Sequence, residues 1–287
     1  MKVSVVIPTY NEEKGIRQCI ESIFANTYPP YEVIVADGGS ADKTVEIAKA
    51  AGAVVFDNPQ RTAASGRNVG ISKASGDIIA FTDGDNYVDE KWIESIIKSF
   101  ENDSDLDGIG GKVVPAPPAN KVEEFWGNLW LRTIMVFGDD EFIVDKKSLR
   151  NSFITANCAY KKDLLQRIKG FDEWYGNNAE DVDLMWRAMD SGAKLKYIPD
   201  AIVIAHSPTT MKGVKRKSYR DGVSSTKLQK RYGPKRGSFD KNIHKMFWKN
   251  FGRMLLFKKG SYMMTSELFY HILGKWVSSI KYGYRNL

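Results

Sequence analysis

The chain's chemistry is most legible in its acids. Asp83 and Asp85 follow the apolar run Ile78-Ile79-Ala80-Phe81, so in an extended chain both carboxylates point the same way. Two carboxylates at a strand end suit a hard divalent cation that keeps open positions for diphosphate oxygens. Asp-x-Asp occurs at 83, 103, 105 and 181, and position separates the copies. Those at 103 and 105 lie in a polar run and read as solvated, whereas the copy at 83 ends a strand with Gly84 between the acids, which lets a ligand approach closely. Asp37 also ends an apolar run and precedes Gly38-Gly39 and a helix start, whose free N–H groups can meet a ribose or phosphate oxygen; the alternative is a turn or capping acid. Arg67 and Asn68 can reach a pyrophosphate or a base. Glu180, Asp181 and Asp183 open a helical pattern, where first-turn acids satisfy a helix N-terminus.

The elements that must position these residues alternate. Val3 to Ile7, Glu32 to Ala36, Val54 to Phe56 and Asp77 to Thr82 read as strands, and Glu13 to Phe24, a stretch capped by Ser40 or Asp42 and stopped at Gly52, Ala63 to Lys73, and Asp89 to Phe100 read as helices. That order predicts an α/β fold with a mainly parallel sheet flanked by helices. Ligands in such sheets gather beyond the strands' carboxyl ends, where Thr9-Tyr10-Asn11-Glu12, Asp37-Gly38-Gly39-Ser40 and Thr82-Asp83-Gly84-Asp85 fall. No strand precedes GxGxxG or GxxxxGK[ST], which speaks against dinucleotide oxidoreductases and P-loop NTPases. Farther on, Phe125, Trp126, Leu129, Trp130 and Ile134 recur at helical spacing and read first as core. Val203 to Ala205, before His206, reads as a last short strand.

These blocks, in order, resemble glycosyltransferase family 2 of the GT-A fold: Val3-Ser4-Val5-Val6-Ile7-Pro8-Thr9-Tyr10-Asn11-Glu12, Asp37-Gly38-Gly39-Ser40-Ala41-Asp42-Lys43-Thr44, Arg67-Asn68-Val69-Gly70 and Asp83-Gly84-Asp85. The likeness continues through Gly170-Phe171-Asp172-Glu173, Glu180-Asp181-Val182-Asp183-Leu184, Pro199-Asp200-Ala201 and His206. It implies a Rossmann-like GT-A catalytic domain over 1–211, with a donor half of about 1–111 and an acceptor half of about 112–211. It further implies that Pro8, Thr9, Tyr10, Glu12, Asp37, Arg67, Asn68, Asp83 and Gly84 border a nucleotide-sugar donor. Asp83, Asp85 and His206 would hold Mn²⁺ or Mg²⁺, Asp181 would be the general base of an inverting transfer, and Glu180 would position the acceptor. A helix start is expected to favour the ionised Asp181. Thr155-Ala156-Asn157 departs from the commoner pattern, which has a glycine before the alanine.

The remaining 212–287 form a basic extension with 19 Lys and Arg against three Asp and Glu, net +16, leaving −9 for 1–211. Met264, Leu268, Ile272, Trp276 and Ile280 recur every four residues, widened by Phe269, Leu273 and Val277, so an amphipathic helix is expected. Glu267, His271 and Lys275 interrupt it, against a spanning helix. Cys19 and Cys158 show neither zinc nor disulfide spacing, and the first residues lack a signal peptide's apolar region. A cytoplasmic protein, peripheral on the cytoplasmic face of the membrane and acting on a glycan or lipid-linked acceptor, is therefore expected, with no nucleic-acid partner. The readings kept beside it are a nucleotidyltransferase of Rossmann-like fold and a non-catalytic nucleic-acid-binding protein that uses the basic tail.

Overall fold

The computed structural model describes residues 1–287 except 134–136, 149–151, 178, 234–242, 257–259 and 284–287, with no side-chain account at 130–133 and 243. Ile134, Asn178 and the Trp130 side chain thus lie outside the described residues. The chain divides into two compact units, one of 1–114, 135–147 and 151–206, the other of 115–134, 148–150 and 207–287. A segment expected in the acceptor half, the helix α5 (Lys121–Thr133), falls with the second unit.

In the first unit β1 (Val3–Thr9), β2 (Glu32–Asp37), β3 (Val54–Asp57) and β4 (Ile78–Phe81) pair in parallel in the order β3-β2-β1-β4. Their near-continuous apolar runs are those of strands covered on both faces, and Val5, Val6, Ile7, Ile34, Val35 and Phe81 are fully buried. The helices α1 (Ile16–Phe24), α2 (Thr44–Ala50), α3 (Ala63–Lys73) and α4 (Trp92–Asn102) alternate with these strands. The α/β expectation holds, with parallel pairing in these four strands and antiparallel extension beyond them. β8 (Cys158–Lys161) pairs antiparallel with both β4 and β6 (Leu106–Pro115), and β9 (Lys194–Ala205) with β5 (Tyr87–Val88) and β7 (Phe142–Ile143). α6 (Lys162–Arg167) and α7 (Glu180–Asp190) complete this unit.

Close helix-to-sheet contact fixes α3. A Cβ at Gly70 would overlap Val6, and one at Gly66 would lie 3.1 Å from Pro8 Cβ, so glycines four apart let α3 lie directly on β1. Asn157, in the segment that departs from the family's pattern, is a buried polar tie. It accepts from Trp92 Nε1 at 2.8 Å and donates to the carbonyls of Lys112 and Ala201, both at 2.8 Å.

The second unit contains α5, α8 (Met211–Tyr232), α9 (Ile243–Leu255) and α10 (Ser261–Lys281). Trp126 is buried, as the core reading of α5 requires. The expected stripe on α10 is split: Leu268 is buried, while Trp276 and Ile280 are exposed. The cause is close contact with α8, which takes the small-residue side of α10. No described helix is long and apolar enough to cross a membrane.

Candidate active site

Parallel register sets Thr9 beside Asp37 at the ends of β1 and β2. Asp37 is buried, and its carboxylate accepts the N–H groups of Gly39 (2.9 Å) and Ser40 (2.8 Å) and the Ser40 hydroxyl (2.5 Å), with Thr9 Oγ1 at 3.4 Å. In this state it shapes the Gly38–Ser40 turn, in which Gly39 has φ +82°. Tyr10 is exposed beside Gly38, and the Arg61 guanidinium packs against Gly39. Arg61 was not anticipated from sequence. Its only local signal is its place just before Thr62, the residue that caps α3.

β4 delivers Thr82-Asp83-Gly84-Asp85. A Cβ at Gly84 would come 2.9 Å from Thr9 Cγ2, and one at Gly15 would come 2.9 Å from Asp85 Cα. Glycine at both places therefore presses this turn against the start of α1, beside Glu12. The backbone N–H of Glu12 donates to Thr44 Oγ1 at 2.7 Å. Burial, reinforced by Asp85 and then Asp83, pushes the Glu12 carboxyl up to about 7. Three acids are thus crowded at neighbouring strand ends.

Arg67 joins this group to the acids of α7. Its guanidinium is buried, donating from Nη2 to Asp83 and from Nη1 to Glu180, each at 2.8 Å, while its buried Nε has no hydrogen-bond partner. Arg67, expected near a diphosphate or a base, is held here by two carboxylates. Asn68 is held elsewhere: Nδ2 donates to the Phe171 carbonyl and to Glu173, and Oδ1 accepts the Phe171 N–H, so it ties α3 to the Gly170–Glu173 loop.

The three acids that open α7 have separate roles. Asp183 is fully buried and accepts from Arg187 Nε at 2.7 Å, and Arg187 also holds the carbonyls of Ile168 and Gly170. Glu180 is buried against Arg67. Asp181 is half-buried and accepts the N–H of Val182 at 2.8 Å. Burial, then the neighbouring Glu180 charge, raises its carboxyl above the usual range, against the opposing pull of the Val182 bond and Arg67. The expected preference of a helix start for the ionised form is therefore outweighed by desolvation.

His206 follows β9, is exposed, and lies against the Tyr87 ring with centroids 5.9 Å apart. Among the described residues no three His, Cys, Asp or Glu side chains converge as a ready-made metal cage. Glu12, Asp83 and Asp85 are hard oxygen donors of the type a divalent cation takes, and the charges of Asp85 and Asp83 both raise the Glu12 carboxyl.

The sequence profile of Glycosyl transferase family 2 matches residues 4–168, more than half of the chain. The chain belongs to this family. Among curated members, Glycosyltransferase AglE of Haloferax volcanii is 30% identical over 213 residues, 70% of this chain and 65% of that protein. The glucosyl-dolichyl phosphate glucuronosyltransferase of the same organism is 30% identical over 190 residues, 63% of this chain and 59% of that one. A Methanococcus voltae enzyme that transfers a diacetamido-dideoxy-glucuronosyl group to dolichyl N-acetyl-glucosaminyl phosphate is 28% identical over 151 residues, 43% and 47% of the two chains. This chain thus spans less than two thirds of the length of each. In fold it is similar to the mannosyltransferase PcManGT of Pyrobaculum calidifontis, solved with GDP-Man and Mn²⁺ (TM-score 0.65, 16% identity, 96% of this chain and 86% of that one). It is also similar to residues 1–349 of S. aureus TarS with UDP-GlcNAc (TM-score 0.58, 16% identity, 99% and 92%). This family 2 member accordingly has a GT-A-like fold.

Proposed function

We propose that this glycosyltransferase inverts the donor sugar's anomeric configuration, with Asp181 as general base, and that its acceptor is a lipid-linked glycan met at the membrane. The observation that carries the reading is the Arg67 bridge. One buried guanidinium joins Asp83, at the donor end of the sheet, to Glu180, the neighbour of Asp181. A single displacement needs both ends held together: the diphosphate leaves from one side of the anomeric carbon while a hydroxyl, losing its proton to a carboxylate, attacks the other. Asp181 takes that proton, and Glu180, fixed by Arg67, sets the start of α7 and so orients Asp181. Thr9, Tyr10 and Asp37 border the nucleotide. Asp83 and Asp85, with His206 as a further ligand, would hold Mn²⁺ or Mg²⁺, which when bound offsets the charge growing on the departing diphosphate.

Two relatives are named for dolichyl phosphate-linked acceptors, and the basic 212–287 suits an anionic membrane surface on the cytoplasmic side. The test is a donor screen by nucleotide-diphosphate release with and without Mn²⁺, followed by proton NMR of the product. The anomeric coupling is expected to show inversion of the donor linkage; retention overturns the single displacement.

A further inference from the structure

In the second unit the usual arrangement of polarity is reversed. The side of α10 turned inward carries Ser261, Thr265, Leu268, His271, Gly274 and Ser278, all buried and mostly small or polar. The side turned outward carries Tyr262 (57% exposed), Phe269 (47%), Trp276 (49%) and Ile280 (66%). The first three are spaced by seven residues, so they lie along one face. A helix that met only water outside would place these two sets the other way round.

The contact with α8 explains what the inner side is for. A Cβ at Gly222 would overlap the backbone carbonyl of His271, and one at Gly274 would overlap that of Tyr219. Thr226 Oγ1 also donates to the Lys275 carbonyl at 3.3 Å. The helices meet backbone to backbone through small residues and hydroxyls, the way helices associate where large apolar side chains gain nothing by facing one another.

α9 continues the outer surface. Phe247 of α9 lies 6.3 Å from Phe269 of α10 and 5.9 Å from Phe251, ring centre to ring centre. Trp248 is 65% exposed, and Leu255 and Leu256 are 62% and 70% exposed. Lys245, Lys249 and Arg253, all exposed, recur every four residues along the same helix and form a basic row beside the aromatic one. Rings and cations side by side match the boundary between lipid headgroups and acyl chains. With no described helix apolar enough to span and a net charge of +16 over 212–287, the matching occupant is an anionic bilayer surface.

We infer that the outer faces of α9 and α10 form a docking surface that lies in the interface of an anionic bilayer, with Trp248 and Trp276 at headgroup depth and Lys245, Lys249 and Arg253 against lipid phosphates. The inference deepens the proposed reading of a membrane-borne acceptor, and its test uses neither donor nor acceptor, so it can fail while sugar transfer stands.

The full chain is sedimented with vesicles of mixed phosphatidylglycerol and phosphatidylcholine, and with phosphatidylcholine alone, at low and high salt, while tryptophan emission and its quenching by bromine-labelled lipid are followed. Binding to the mixed vesicles at low salt is expected, weakened by salt, with a blue shift. The triple variant Lys245→Gln, Lys249→Gln, Arg253→Gln is expected to lose affinity by about a hundredfold. The double variant Trp248→Ser, Trp276→Ser, altered only at exposed positions, is expected to lose the quenching and keep its circular dichroism. Wild-type protein that stays in the supernatant overturns the inference, as does binding unchanged in both variants. So does self-association seen by light scattering that these same substitutions abolish, because the face would then belong to a second copy.

Discussion

The first unit and the α8–α10 pair apply the same physics in opposite senses. In β1, β2 and β4 the large apolar side chains are inside, and the polar chemistry gathers where the strands run out at Thr9, Asp37 and Asp83. In α10 the small and polar side chains are inside, and the rings face out. On the docking inference above, burial sorts residues by the medium outside as much as by the core within. The contrast also separates two kinds of buried polar group: a charge held by specific partners, as at Arg67, and hydroxyls that permit close approach, as at Thr265 and Ser278.

The sharpest way to break the comparison lies at Arg67. Arg67→Ala leaves Glu180 buried without its partner, and a loss of about 3 to 5 kcal/mol of stability is expected, read by urea denaturation. A change under 1 kcal/mol would mean that the bridge contributes little to the folded state. A middle-sized effect contrasts the two faces of α10. Gly274→Val drives a branched side chain into the Tyr219 carbonyl and is expected to cost about 1 to 3 kcal/mol, whereas Trp276→Ser on the outer face should leave the melting temperature nearly unchanged in aqueous buffer. Equal losses for both would show that the outer ring is packed in the free protein. A pH-dependent effect concerns Glu267, which burial, and then Asp221, raises from 4.5 to about 8. The folded state therefore holds a proton that the unfolded chain releases. This stability is complete below the ordinary value and is lost as pH rises through about 8. Glu267→Gln should melt with the wild type in acid and above it at pH beyond 8; coincident curves across the range remove Glu267 as the titrating group.

How much was legible in the sequence follows from the same contrast. The parallel strands announce themselves because strands covered on both faces need continuous apolar runs. β6 was not anticipated: Gly108, Gly110 and Gly111 interrupt its pattern, since Tyr160, Phe153 and Asn157 occupy the space their side chains would fill. β9 runs from Lys194, well before the expected Val203, because Lys194, Lys196 and Pro199 hide its alternation. The acids at the strand ends were readable, since topology puts ligand chemistry there. The Arg67–Glu180 pair was not, because it joins positions 113 apart and local spacing carries no trace of such a contact. The tail's amphipathic character was readable, but its inward face was not, because only the α8 contact reveals which side Gly274 must take.

The central claim, that Asp181 removes the acceptor's proton, is tested most directly by Asp181→Asn, measured as turnover against pH alongside donor affinity. The variant keeps the size and much of the hydrogen bonding of the carboxyl but cannot accept the proton. Wild-type turnover should rise with pH above the usual carboxylate range as the raised Asp181 ionises. In the variant that limb should vanish and turnover should fall by about 10² to 10⁴, with donor affinity hardly changed. A variant that keeps its turnover and its pH limb, or one that loses donor binding instead, would contradict the assignment.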